Sequence, residues 1–516
     1  FGEVMDGIAI GHSSGTNLQG YLKDHSDGSV TVQWQSNGAP AMEATFIHGS
    51  PYVYIKVLTG ELRIKTLRED GGEKGTFYSK NNSLGVWTSV AGNHNNYLIT
   101  GEGATTFSNV TTNVISASNA TNEFTMTYLP QTSGIPSDAM ADFFVQRARN
   151  VVAKVSIDYS VDRTTNDVTV NHRYLDSQGA LVDTVTGMHP LHWKYAGVSN
   201  ASYSVRSARG VIQFVPQSEF SYTMPYVGVL PALPSVSASL SEAELKAKVD
   251  AFIAQGESAW NTNGQGQAYR DAYWSGKNYS KVAELIAIAR DAGFSIQADR
   301  LTAWLKTELE DWFTAETDGA LDVDQYFMFD KNWNTLLAME ESFASHQNLN
   351  DHHFHYGYIV RAATEICRND RAWCGQDQYG PMIELLIRDY AAGRDDPMFP
   401  YLRHFDPANG FSWASGNVNF ARGNNNESTS EAANAYGAMV LFGLITGNDE
   451  MTERGMYLHA STSATYWEYW NNIDGYNNVG AQHDNFPPGY DKISTSIIWG
   501  DGAVFSTWFS GAFAHI

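Results

Sequence analysis

Hydrophobic and polar residues alternate with a period of two over the first part of the chain. Ala153, Val155, Ile157, Tyr159 and Val161 interleave with Lys154, Ser156, Asp158 and Ser160; after a turn-like stretch from Asp162 to Asp167 the run Val168, Thr169, Val170 follows. Such alternation sends successive side chains to opposite faces of a strand, so the two runs predict a hairpin with one solvated face. Val30, Val32 and Trp34 alternate likewise, and Tyr52 to Ile55 follows the turn formers Gly49, Ser50 and Pro51. Many short strands divided by turn residues predict a large β-sandwich over residues 1–225.

Pro231, Pro234 and the Ser-rich segment from Ser235 to Ser241 then break the pattern. Glu242 to Ala254 follows with Leu245, Val249 and Phe252 at helical spacing, so residues 226–265 read as a connecting α/β region. From residue 266 to 516 the period becomes that of a helix: Val282, Leu285, Ile286 and Ala289 form one stripe. Further stripes recur over Leu301 to Leu309, Ile359 to Ile366, Ile383 to Tyr390 and Ala432 to Ile445. These stripes predict a helical domain whose apolar faces form core. The chain is therefore expected to be a multidomain α+β protein.

Composition narrows the functional classes. With 33 Lys plus Arg against 56 Asp plus Glu, the formal charge is −23, which repels a nucleic acid duplex or an anionic membrane. Aromatic residues make up 13% of the chain, and flat apolar faces beside amides and carboxylates suit a neutral polyhydroxylated ligand, although most aromatics in a chain this size fill cores. The chain opens at Phe1 without an apolar leader, and its longest apolar stretch, Ala438 to Ile445, falls short of the roughly 18 residues of a membrane span. A soluble chain, already processed or recombinantly trimmed, is expected. Cys367 and Cys374 do not form a C-x-x-C motif, and their spacing leaves a disulfide and free thiols equally open.

Two segments carry candidate chemistry. Asn350-Asp351-His352-His353-Phe354-His355-Tyr356-Gly357-Tyr358 opens a helical stripe, so Asp351 sits near a helix N-terminus and shares a face with His355. Alone, Asp351 could be only an N-cap. The three histidines raise zinc, but no H-E-x-x-H motif or second ligand cluster completes a site, so neither metal nor cofactor is expected. The second segment holds Glu427 and Glu431 ahead of an apolar stripe, which predicts that both occupy the first turns of a helix facing a shared cleft. Acidic residues there are also favoured by the helix dipole alone. Together the segments offer an acid and a carboxylate from distant parts of the chain, the minimum for cleaving an acetal: one protonates the leaving oxygen while the other activates water.

At these residues the chain resembles glycoside hydrolase family 81, the endo-β-1,3-glucanases. The resemblance rests on the segment from Asn350 to Tyr358, on Glu427-Ser428-Thr429-Ser430-Glu431-Ala432 with Asn434-Ala435-Tyr436, and on Phe411-Ser412-Trp413-Ala414-Ser415-Gly416. Weaker echoes are Asp271 to Lys277, Phe329-Asp330 with Trp333, and Gly49 to Val53. It implies an N-terminal β-sandwich, a small α/β connecting domain and an (α/α)6 barrel. It also implies a secreted monomer that hydrolyses internal bonds of laminarin-like β-1,3-glucans with inversion. Asp351 would be the general acid and Glu427 or Glu431 the base, with Glu427 the first choice and Glu431 tuning its proton affinity or positioning the water. His355 would support the acid or bind sugar, and Tyr273, Lys277, Asp330, Trp333, Trp413 and Tyr436 would line the cleft. Asn426 stands where the family pattern has Gln and Ser275 where it has Tyr, departures expected to alter subsite contacts. Further residues are expected beyond Ile516.

Two other readings compete. A polysaccharide lyase on a helical barrel would use His355 or Tyr356 as base, but its anionic substrate calls for more basic residues than 33 in 516. A non-catalytic glucan-binding protein would need neither a protonated acid nor a water-activating base.

Overall fold

The computed structural model describes residues 8–14, 17–66, 72–90, 93–130, 134–199, 201–232, 240–417, 420–472, 485–487 and 489–507. Pro234, the stretch 235–239 of the Ser-rich segment and the C-terminal Ile516 lie outside them. Contacts divide the chain into two compact units. The first comprises 1–159, 169–223 and 477–490; the second comprises 160–168, 224–476 and 491–516.

The first unit is built on antiparallel sheets. One runs in the order Gln19–Ser26, Ser29–Ser36, Ala39–Ile47, Tyr52–Val57, Glu123–Leu129, Asn93–Gly101, Ser83–Val90, Glu73–Lys80. A smaller sheet runs Ala9–His12, Leu62–Lys65, Val114–Asn119, Thr105–Ser108. Met42, Ala44, Ile55, Val57, Leu84, Val86, Ile99 and Phe124 from the larger sheet share one core with Leu62, Ile64, Ile115 and Ala117 from the smaller. Alternation along each strand thus supplies one apolar face per sheet, and the two faces exclude water between them. The runs noted in the sequence form strands Lys154–Asp162 and Asp167–Leu175, with Val155, Ile157, Val168 and Val170 buried. Two short helices, α1 (Asp138–Val145) and α2 (Pro190–Tyr195), also lie in this unit.

The second unit is mainly helical: α3 (Glu242–Ile253), α4 (Ala272–Asp291), α5 (Ser295–Trp312), α6 (His352–Asn369), α7 (Gly380–Ala391), α8 (Thr429–Thr446) and α9 (Asp449–Thr465). Local sequence explains several of the starts. Ser241 and Glu244 form a capping box for α3, and the Asp271 carboxylate accepts the Tyr273 and Trp274 N–H groups at the start of α4. Helix α6 packs closely on both α4 and α8. A Cβ on Gly357 of α6 would meet the Ala435 Cβ of α8 at 2.5 Å, and one on Gly276 of α4 would meet the Tyr358 Cβ of α6 at 2.9 Å. Glycine at these two crossings brings the helices that bear the candidate residues within reach of one another. A hairpin, Tyr326–Asp330 with Thr335–Met339, inserts between α5 and α6. Cys367, in the last turn of α6, forms a disulfide with Cys374 at a Cα–Cα distance of 5.5 Å, which settles the alternative left open by their spacing. The chain is a multidomain α+β protein.

Candidate active site

Asp351 occupies the N-cap position of α6 in the left-handed region, at φ 60° and ψ 16°, a conformation that Asp tolerates better than most residues. Its carbonyl accepts the N–H groups of Phe354 at 2.8 Å and His355 at 2.9 Å, while its own N–H donates to the Ala414 carbonyl at 2.8 Å. The side chain makes no capping hydrogen bond, so the bland reading of this aspartate as only an N-cap does not describe its carboxyl. The preceding loop holds Phe343, Ala344 and Leu349 at positive φ. Left-handed backbone costs such residues roughly 1–2 kcal/mol each, so the surroundings must impose it. Among the groups that do so, Asn350 Nδ2 donates to the Phe343 carbonyl at 3.1 Å, and His352 Nε2 lies 2.9 Å from the Ser345 carbonyl.

The glutamates come from another direction. Asn425–Asn426 forms a short strand paired with Ile497–Trp499, and α8 begins at Thr429. Glu431 therefore lies in the first helical turn, as expected, whereas Glu427 does not: it precedes the N-cap, Ser428, because the chain is still leaving the strand. Both remain near the positive end of the helix dipole.

Asp351, Glu427 and Glu431 line one cavity of about 460 Å³, together with Tyr273, Phe343, Asn350, Phe354, His355, Ala414, Ser415, Phe420, Asn425 and Ser428. Burial is the largest influence on Asp351, followed by the negative charges of Glu431 and Glu427; together they raise its carboxyl to about 8. Although part of its surface stays accessible, the Asp351 carboxyl thus keeps its proton at neutral pH. Glu431 accepts the Tyr358 hydroxyl at 2.8 Å and lies 3.7 Å from the Lys277 ammonium. Lys277 in turn donates to the Tyr273 hydroxyl at 3.0 Å and sits 4.7 Å from that ring's centre. Burial, and then the charge of Glu431, push both tyrosine hydroxyls well above their ordinary value, so they stay neutral donors. His355 is buried, which lowers it to about 3 and leaves it neutral; its Nε2 has no hydrogen-bond partner among the described residues. This is an acid beside two carboxylates in a cavity large enough for a sugar unit and water.

The model of the glycosyl hydrolase family 81 C-terminal domain matches residues 241–515, more than half of the chain. The chain belongs to glycosyl hydrolase family 81. It is 32% identical over 490 residues to a glucan endo-1,3-beta-D-glucosidase of Thermobifida fusca, covering 94% of this chain and 60% of the relative. A glucan endo-1,3-beta-D-glucosidase of Acetivibrio thermocellus is 30% identical over 523 residues, covering 99% of this chain and 63% of that one. The chain thus spans about three fifths of the length of these curated relatives. A solved glycoside hydrolase family 81 structure from Clostridium thermocellum superposes with a TM-score of 0.86 at 30% identity, covering 98% of this chain and 67% of that one.

Within this family 81 chain the other expected cleft residues scatter. Tyr273 and His355 line the cavity, and Lys277 stands beside it against Glu431. Tyr436 is fully buried among His353, Tyr390 and Phe405, which removes it from any sugar. Trp413 is partly buried, with its indole N–H on Asp406 at 3.0 Å and its ring against Phe411. Asp330 accepts the N–H groups of Asn332 and Trp333 and so shapes the hairpin turn, while Trp333 is exposed at its tip; neither lines the cavity. Asn426 and Ser275 are also buried, the first bonded to Ser412 and Ser428 and the second to Asn261, so neither departure from the family pattern is a subsite contact.

Several residues had no distinct signal in the sequence. Phe343 and Phe420 enter the cavity from loops, and Tyr358 reaches Glu431 from the helix that carries Asp351. Asp389 was legible only as an acid interrupting the apolar stripe of α7. It is fully buried, 2.8 Å from His352 Nδ1, and accepts the Thr335 hydroxyl and the Leu336 N–H. Burial alone would raise its carboxyl, but His352, Arg403 and the Leu336 N–H outweigh it and hold it below the usual value. Among the described residues no group of three or more His, Cys, Asp or Glu could hold a metal ion, and no helix is long and apolar enough to cross a membrane.

Proposed function

We propose that the chain hydrolyses internal β-1,3-glucosidic bonds of laminarin-like glucans with inversion, on a helical unit of the (α/α)6 barrel type. The observation that carries this reading is the carboxyl of Asp351, raised to about 8 in the same cavity as Glu427 and Glu431. Hydrolysis of an acetal needs a group that still holds its proton near neutral pH and a carboxylate that takes one from water. Asp351 donates to the departing glycosidic oxygen. Glu427 takes a proton from water as that water attacks the anomeric carbon from the opposite face. Glu431, held by Tyr358 and Lys277, contributes the larger share of the negative charge that keeps Asp351 protonated. Inversion requires the acid and base carboxyls to stand ~6.5–9.5 Å apart, leaving room for the water. The names of the relatives, glucan endo-1,3-beta-D-glucosidases, support the linkage and the internal mode of cleavage. The Cys367–Cys374 disulfide supports a secreted protein, and the uninterrupted acid–base pair within one chain supports action as a monomer.

Incubation with laminarin should release new reducing ends with oligosaccharides of intermediate length. Asp351→Asn and Glu427→Gln should each keep the fold and lower turnover by a factor of about 10²–10⁴. Turnover near that of the wild type in both variants would defeat the assignment.

A further inference from the structure

The acid-bearing and base-bearing segments both hang on a third stretch of chain, Phe411 to Ser415. The Ala414 carbonyl accepts the Asp351 N–H at 2.8 Å, and the Ala414 N–H donates to the Asn425 carbonyl at 2.8 Å. One residue further on, the Ser415 N–H donates to Asn424 Oδ1 at 3.1 Å. Two residues back, the Ser412 hydroxyl lies 2.9 Å from His353 Nε2 and accepts from Asn426 Nδ2 at 3.3 Å. The same amide also donates to the Ser412 carbonyl. Asn426 Oδ1 then accepts the Ser428 N–H at 2.9 Å, which leaves Glu427 held between two anchored neighbours. His353, Ser412 and Asn426 are all buried, so their hydrogen bonds do not compete with bulk water, and losing one strands a desolvated partner.

Helix packing at Gly357 and Ala435 already brings α6 and α8 together, but Asp351 and Glu427 lie off the ends of those helices, where the crossing no longer constrains them. The bridge through Phe411 to Ser415 acts at that end. Resting on the hydrolase reading above, we propose that Ser412 is a positioning residue: by binding His353 on one side and Asn426 on the other, it fixes the separation of the acid and base segments and hence the gap that holds the attacking water. Ser412 does not line the cavity, so its influence on substrate is indirect. The groups around the cavity that would register a change of separation are Glu427 and Glu431 at the start of α8, Tyr273 and Lys277 on α4, and His355 on α6.

The test compares wild type with Ser412→Ala, which removes both side-chain bonds, and with Ser412→Cys, which keeps the size and a weak hydrogen-bonding group. Misplacement on the scale of 1 Å costs about 10²-fold in rate, so the alanine variant should lose about 10–100-fold in kcat with KM within about twofold, and cysteine should fall between. The alkaline limb of its kcat profile should move to lower pH, because carboxylates held less closely raise Asp351 less. A second readout needs no turnover: the difference in Tm between chains with and without Asp351→Asn, followed from pH 4 to 9, should begin to level off at lower pH in the Ser412→Ala background. A serine that only supports folding would lower Tm while leaving kcat per folded molecule, the alkaline limb and that pH dependence unmoved, and this result overturns the proposal. Failure of the wild type to cleave β-1,3-glucan would instead overturn the hydrolase reading, leaving the Tm comparison to judge Ser412.

Discussion

Replacing Asp351 by Asn should stabilise the protein while disabling it. The carboxyl stands at about 8 against an ordinary 3.8, with burial the first cause and the charges of Glu431 and Glu427 next. In the native state it keeps its proton up to about pH 8, whereas in the unfolded chain it loses it near its ordinary value. Between those two points the native state binds more protons, so the group's contribution to stability is fully present below the ordinary value and is lost as pH rises through the native one. At about 1.4 kcal/mol per pH unit, the full interval corresponds to roughly 6 kcal/mol, and relaxation of the three-carboxylate cluster leaves roughly 3–5 kcal/mol. Asparagine keeps the shape and cannot ionise. Thermal unfolding of wild type and Asp351→Asn, at matched ionic strength from pH 4 to 9, should show little difference at the acid end. The variant should gain an advantage of several degrees that levels off above about pH 8. A Tm difference that does not change with pH, or one that favours wild type as pH rises, would refute the reasoning that a raised proton affinity makes Asp351 an acid.

Three further outcomes follow from the same geometry. Glu431 outranks Glu427 among the charges acting on Asp351, so Glu431→Gln should draw the alkaline limb of the stability curve to lower pH further than Glu427→Gln does; the reverse order in the same unfolding experiment would contradict it. Tyr436→Phe should leave KM within about twofold, since the ring is fully buried; a tenfold rise in KM without loss of Tm would restore it as a sugar contact. Breaking the Cys367–Cys374 bond, which links residues seven apart, should cost about 2–3 kcal/mol of stability as read by denaturant unfolding, and an unchanged midpoint would show that the short loop is already ordered without it.

The elements that could be read from the chain are those whose burial pattern has one clear period. The strands near Val155 and Val168 and the helices α4, α5 and α7 belong to this class, since each sets apolar residues on one face, whereas α6 and α8 bury almost every position of their apolar runs. Helix α9 has no such stripe. It buries Thr452, Arg454, Ser461, Thr462 and Thr465, and two of the hydroxyls are satisfied within the helix, Thr452 donating to the Asn448 carbonyl and Thr465 to the Ser461 carbonyl. A helix that buries hydroxyls in this way looks polar in sequence. The Tyr326–Met339 hairpin was hidden for a different reason, since it interrupts a helical region and its register is imposed by packing, with Phe327 set against Trp312 and Tyr356.

The acidic residues of the site were legible because carboxylates near helix starts stand out from an apolar background. Their environment was not. The positive φ of Asp351, its tie to Ala414 and the hydroxyl of Tyr358 on Glu431 are long-range facts with no local signature. Aromatic residue type was a poor guide: Tyr273 lines the cavity while Tyr436 fills core and Trp413 turns its N–H to Asp406, a difference set by helix phase and neighbours rather than by the residues themselves.

Stereochemistry probes the central claim most directly, because it depends on whether a water fits between Glu427 and the anomeric carbon while Asp351 protonates the other side. Proton NMR of laminarin during the first minutes of digestion, before mutarotation, should show the α-anomer at the new reducing ends. A nascent β-anomer would mean that a carboxylate attacks the sugar itself, and the arrangement of acid, water and base described here would be wrong.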